Sequence, residues 1–207
     1  LFSDHKSKHS ASENSSWKNL GRFLTKILNL QQMNANMSEN KLNKHILSDL
    51  QSSDSLKVID TIRELRDSGN ASYIPVLMEL MLMTENPEIK SRIISLLADL
   101  KQSDAIPLII DAIQDKKYAP ELKSLVSVCW ENGLDFSNYL SLFVDLIIEQ
   151  EFVVAFEAYT VIQNMTGKVT PEVLDQVTIR IREALLNSDE QRRALLQDTL
   201  DFLPELS

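Results

Sequence analysis

Apolar side chains recur at steps of three and four along most of this chain, most clearly over residues 86–117, NPEIKSRIISLLADLKQSDAIPLIIDAIQDKK. Ile89, Ile93, Leu96, Leu97 and Leu100 share one face of a helix at that spacing. Asn86 stands before them as a capping residue, and Pro87 suits the first helical position, where its missing amide proton costs nothing. After a short polar turn, Asp104 is a second cap candidate ahead of Ile106, Ile109, Ile110 and Ile113, with Pro107 in the first turn. Two amphipathic helices joined so closely are expected to lie antiparallel with their apolar faces together.

The unit repeats. A shift of 32 sets Asp54 against Asn86, Ile62 against Ile94, Leu65 against Leu97, Ser72 against Asp104, Ile74 against Ile106 and Pro75 against Pro107. Leu77, Glu79 and Met81 continue the match to Ile109, Asp111 and Ile113. Pro120 opens a third unit, in which the shift grows to 34 and Leu140, Phe143, Asp145 and Ile147 take the places of Ile106, Ile109, Asp111 and Ile113. Gly69 and Gly133, two periods apart, each follow an expected helix where a left-handed residue commonly ends it.

The segments I-P-V-L-M-E-L-M at residues 74–81 and I-P-L-I-I-D-A-I at residues 106–113, each behind a helix and a short turn, resemble HEAT repeats, over roughly residues 54–187. The chain departs from the usual pattern in its second unit, where Lys101 and Gln102 stand in a turn without glycine. The resemblance implies an all-α fold, an alpha-alpha superhelix: a short right-handed solenoid of antiparallel helix pairs. It also implies a scaffold or adaptor that binds a protein or peptide, although a few proteins of this fold are enzymes or handle cofactors; no cofactor is expected for this chain.

The rest of the chain is read around these repeats. Residues 1–16 are a polar, serine-rich tail, and residues 17–30 a basic amphipathic helix with Trp17, Leu20, Phe23, Leu24, Ile27 and Leu28 opposite Lys18, Arg22 and Lys26. A linker reaches residue 36, and residues 37–207 form a repeat domain of about four helix pairs with single flanking helices. Ser38 is expected to cap a first helix carrying Leu42, Ile46, Leu47 and Leu50, with His45 partly buried beside them. Phe152, Phe156, Tyr159 and Ile162 begin the fourth pair, and Thr170 with Pro171 opens its partner, striped by Val173, Val177, Ile181 and Leu185. A last helix over residues 189–203 ends before Pro204.

Composition narrows the function. The formal charge is -9, from 21 basic and 30 acidic residues; the first 36 residues carry +3, so the remainder carries -12. An acidic body argues against nucleic acid, which is bound through Lys and Arg on phosphates, and suits a basic polypeptide. With one cysteine, Cys129, in an apolar stripe, the chain has no internal disulfide or cysteine metal cluster. The i,i+4 pair His5 and His9 lacks a third ligand nearby, so no metal is expected. The absence of an apolar run of about 18 residues points to a cytoplasmic protein.

No phosphate loop, H-E-x-x-H or G-x-S-x-G occurs, which favours a non-catalytic protein. Glu79, Asp111 and Asp145 occupy equivalent positions on successive second helices and form a candidate acidic ladder on a concave surface, with Met83 and Tyr139 as apolar contacts. The first reading is therefore an interaction scaffold binding a polypeptide there. A second is an enzyme or cofactor-handling protein using the same carboxylates as acid and base. A third is a membrane-peripheral adaptor held by residues 17–30, through Trp17, Lys18, Arg22, Phe23 and Lys26.

Overall fold

The periodic stripes become helices. The computed structural model describes residues 42–68 and 71–207, and every regular element among them is helical. The amphipathic segment at residues 17–30, the polar tail, the linker, Ser38 and Gly69 lie outside the described residues. The described residues divide into two compact units, one ending at Leu97 and the other running from Ala98 to Ser207.

The first unit contains α1 (Lys44–Leu50), α2 (Ser55–Ser68), α3 (Ile74–Met83) and α4 (Pro87–Ala98). Local signals place three of their starts. Asn43 Oδ1 accepts from the amide of His45 at 2.8 Å, Asp54 Oδ1 from Leu56 at 3.0 Å, and Asn86 Oδ1 from Glu88 at 2.9 Å. Each satisfies an amide that the helix leaves without a carbonyl. Two expectations change here. The cap of α1 is Asn43, and His45, just inside that cap, is exposed, with Nε2 3.5 Å from Asp49 Oδ2. Ser72 does not cap α3: it lies within a 3-10 turn, Ala71–Tyr73, and Tyr73 precedes the helix without a side-chain capping bond. Helix α3 is buried nearly all round, through Ile74, Val76, Leu77, Met78, Leu80 and Met81. At about 1.5–3 kcal/mol for each large apolar side chain removed from water, it anchors this unit.

The second unit runs α5 (Ala105–Gln114), a 3-10 segment (Lys116–Glu121), α6 (Leu122–Glu131), a 3-10 turn (Ser137–Tyr139), α7 (Leu140–Glu149), α8 (Phe152–Gln163), α9 (Pro171–Leu185), α10 (Glu190–Phe202) and a closing 3-10 turn (Leu203–Leu206). Helix α6 packs on α5 and α8, α8 also on α7 and α10, and α9 on α7 and α10. Phe136 and Phe143 meet edge to face in its core, with ring centres 5.9 Å apart. Gly133 takes φ +68° just beyond α6, the left-handed conformation that glycine adopts without strain.

Here too some local expectations change. Pro120 falls inside the 3-10 segment, and α6 begins at Leu122. Asp104 precedes α5 in helical backbone geometry and makes no side-chain capping bond, because an N-cap oxygen reaches the next amides from an extended conformation. In α8 the buried residues are Val154, Ala155, Ala158, Val161 and Ile162, so of the expected stripe of Phe152, Phe156, Tyr159 and Ile162 only the last is buried. Small residues on that face let the neighbouring helices approach closely, and the rings are left on the outside.

Candidate functional site

The three acidic positions differ in exposure. In the first unit Glu79 is 6% exposed within α3, and in the second Asp111 is exposed on α5. Asp145 on α7 is half-buried and ion-paired to the guanidinium of Arg180 on α9, whose Nη2 also donates to the carbonyl of Ser141 at 3.4 Å. Met83 and Tyr139 are both half-buried, Met83 in the first unit and Tyr139 in the second. The repeat period put three carboxylates at one register; packing buried the first and paired the third.

A second arginine also reaches α7. Arg192 of α10 donates from Nη1 to the carbonyls of Ile147 and, at 3.0 Å, Ile148, and from Nη2 to that of Gln150 at 2.7 Å. These carbonyls lie at the C-terminal end of α7, where backbone acceptors lack intrahelical donors and the helix dipole favours a cation. Arg180 and Arg192 thus tie the outer helices of this unit to α7.

The apolar surface of α8 is the feature the periodicity did not separate from the core. Phe152 is 38% exposed, Val153 51% and Phe156 49%. Steps of four and three place Phe152, Phe156 and Tyr159 along one side, with ring centres 6.4 and 6.3 Å apart. The signal was present in the sequence, because α8 is apolar on more than one face, and such a helix covers more than one neighbour.

Polar groups frame this stripe. Glu157 sits between α6 and α8, where Oε2 accepts from Trp130 Nε1 at 2.9 Å and Oε1 lies 3.8 Å from Lys123 Nζ. Burial and then the carboxylate of Asp198 on α10 push the Tyr159 phenol above its usual range, which puts an acidic group beside the aromatic row. Exposed Glu151 immediately precedes Phe152.

Elsewhere in this unit a clasp joins two loops. Asp135 accepts from the hydroxyl of Ser137, from the Ser137 amide at 3.2 Å and from the Thr166 amide at 3.3 Å, while the Gly167 amide donates to Ser137 Oγ at 3.0 Å. Burial opposes the charge on Asp135, but these hydrogen bonds, led by the Ser137 hydroxyl, outweigh it and hold the carboxyl below the usual range. A Cβ at Gly167 would run into the Asp135 carboxylate and Ser137 Oγ, so the close approach depends on glycine.

Cys129 is buried, its Sγ 3.4 Å from the carbonyl of Leu125, and burial pushes its thiol well above the usual range, which makes it a poor nucleophile. Among the described residues no group of three His, Cys, Asp or Glu is placed to hold a metal, and no helix is long and apolar enough to cross a membrane. Trp17, Lys18, Arg22, Phe23 and Lys26 lie outside the described residues. No family model, no curated protein and no solved structure matches the chain.

Proposed function

We propose that this protein is a non-catalytic interaction scaffold, a short right-handed solenoid of HEAT-like helix pairs that binds a basic polypeptide through the aromatic row of α8. The exposed row of Phe152 and Phe156 beside Tyr159 is the observation that carries this reading. Aromatic groups held on a rigid helix supply contact area at little entropic cost on binding, and exposed apolar clusters with a polar rim mark interaction sites. The solenoid reading draws support from the repeat of 32 to 34 residues and from the second unit, where α8 packs on both α6 and α10 while α9 packs on α7.

Charge selects the partner. The stripe has Glu151 at one end and Asp198 near Tyr159, in a chain of formal charge -9. An amphipathic helix with leucine or aromatic anchors and flanking lysines complements it.

The test is fluorescence anisotropy with a labelled 14-residue helical peptide of leucine and lysine, beside the same peptide carrying glutamate for lysine. Binding of the lysine peptide alone, weakened at least tenfold in a Phe152→Ser, Phe156→Ser variant and by raised salt, is the expected result. Equal affinity of the variant, or equal binding of both peptides, removes the proposal.

A further inference from the structure

Helix α9 buries Val177 and Ile181 where it packs in the second unit, on α7 and α10. Its opposite side carries Ile179, 58% exposed, and Leu186, which at 80% is the most exposed large apolar side chain among the described residues. Leu186 lies one residue past the helix but keeps helical backbone angles, φ -65° and ψ -28°, so it continues the face of Ile179 two turns on. Between them stand Arg182 and Glu183, both exposed, the first three residues after Ile179 and the second three before Leu186. Neither of these two side chains makes an ion pair or hydrogen bond among the described residues, and adjacent positions on a helix do not face each other. A single exposed apolar residue is ordinary. The order apolar, cation, anion, apolar at positions 179, 182, 183 and 186 is not, because read backwards it is the same pattern with the charges exchanged.

We propose that this face of α9 docks on the same face of a second copy of the chain, the two helices running antiparallel about a two-fold axis between Arg182 and Glu183. In that arrangement Ile179 of each copy packs against Leu186 of the other, and Arg182 of each meets Glu183 of the other. The contact is isologous, so every favourable pair occurs twice. Packed helices lie about 8–10 Å apart, close enough for an arginine and a glutamate to meet across the seam. Charge fixes the direction: a parallel alignment in register sets arginine against arginine and glutamate against glutamate, which opposes association. Covering Ile179 and Leu186 removes apolar surface from water, and the carboxylate gives the guanidinium a planar, bidentate partner. The seam is short, because the chain leaves the helix after Leu186 and α10 begins only at Glu190. Two turns of helix bury less than the about 1,200–2,000 Å² of stable complexes, so the dimer forms reversibly and weakly. This surface is separate from the aromatic row of α8, and the pairing stands whether or not that row binds a peptide.

Sedimentation of the full chain over a range of concentrations reaching the millimolar tests the pairing, and a reversible monomer–dimer equilibrium is the expected result. Arg182→Glu and Glu183→Arg, each alone, set like charges together in both pairs and should weaken the dimer at least tenfold, with the helical circular dichroism unchanged. Mixing these two variants in equal amounts restores opposite charges across the seam and should recover association, as should the double exchange in one chain. Ile179→Ser with Leu186→Ser should also weaken the dimer at least tenfold. A chain that stays monomeric throughout overturns the proposal. So does a dimer that the single charge changes leave intact, which would use another surface, or a mixture of the two variants that fails to associate.

Discussion

The indole Nε1 of Trp130 donates to Oε2 of Glu157 across 2.9 Å, so that one side chain of α6 and one of α8 fix each other's orientation. Glu157 is the immediate neighbour of Phe156, so the bond links α6 to α8 beside the aromatic row. Replacing Glu157 with Ala strands a half-buried indole donor and should cost about 1–3 kcal/mol, whereas Gln keeps an acceptor and should recover most of it. Urea denaturation followed by tryptophan fluorescence distinguishes the two, and equal losses would mean that the bond contributes little.

The two arginines that reach α7 are expected to differ. Arg180 and Asp145 form a partly exposed pair, so Asp145→Ala should cost less than about 1 kcal/mol. Arg192 serves three carbonyls at a helix end, and Arg192→Ala should cost about 2–3 kcal/mol. For a chain of this size that corresponds to a fall in Tm of several degrees, readable by calorimetry.

The clasp at Asp135 predicts a pH dependence. A carboxyl held below its usual value in the fold contributes stability that is fully present above the unfolded value of about 3.9 and disappears as pH falls through the folded value. Asp135→Asn should flatten this part of the acid unfolding curve. Gly167→Ala should push the carboxylate aside and return its titration toward the ordinary range, measured by carboxyl carbon NMR. An unchanged titration in that variant would show that the loops do not depend on the close approach.

Local signals made much of the helical frame legible. The caps at Asp54 and Asn86, the first-position prolines Pro87 and Pro171, and the stripes of α4 and α7 were readable because each depends on residues within one or two turns. The surface of α8 was less so. Val154, Ala155, Ala158 and Val161 compete with Phe152 and Phe156 as an apolar face, and hydrophobicity alone favours the rings, whereas close packing favours the smaller set. Likewise, the pairing of Asp145 with Arg180 depends on side chains brought together from separate helices, which a period in one helix does not encode.

The same contrast predicts opposite responses on α8. Phe156→Ser should change stability by less than about 0.5 kcal/mol, as surface substitutions generally do. Ala158→Leu, at a position with no exposure, should cost about 1–3 kcal/mol by overpacking. Denaturant midpoints of the two variants test which face of α8 belongs to the core.

Arg192 also sets an order on assembly. The carbonyls it serves at the end of α7 lie 42 to 45 residues earlier in the chain. During synthesis, at about 5–20 residues per second, those acceptors wait several seconds for their donor and stay with water until α10 has emerged. The end of α7 is therefore completed only when the last helix docks, and a nascent chain stopped short of it holds a frayed terminus in the middle of its second unit.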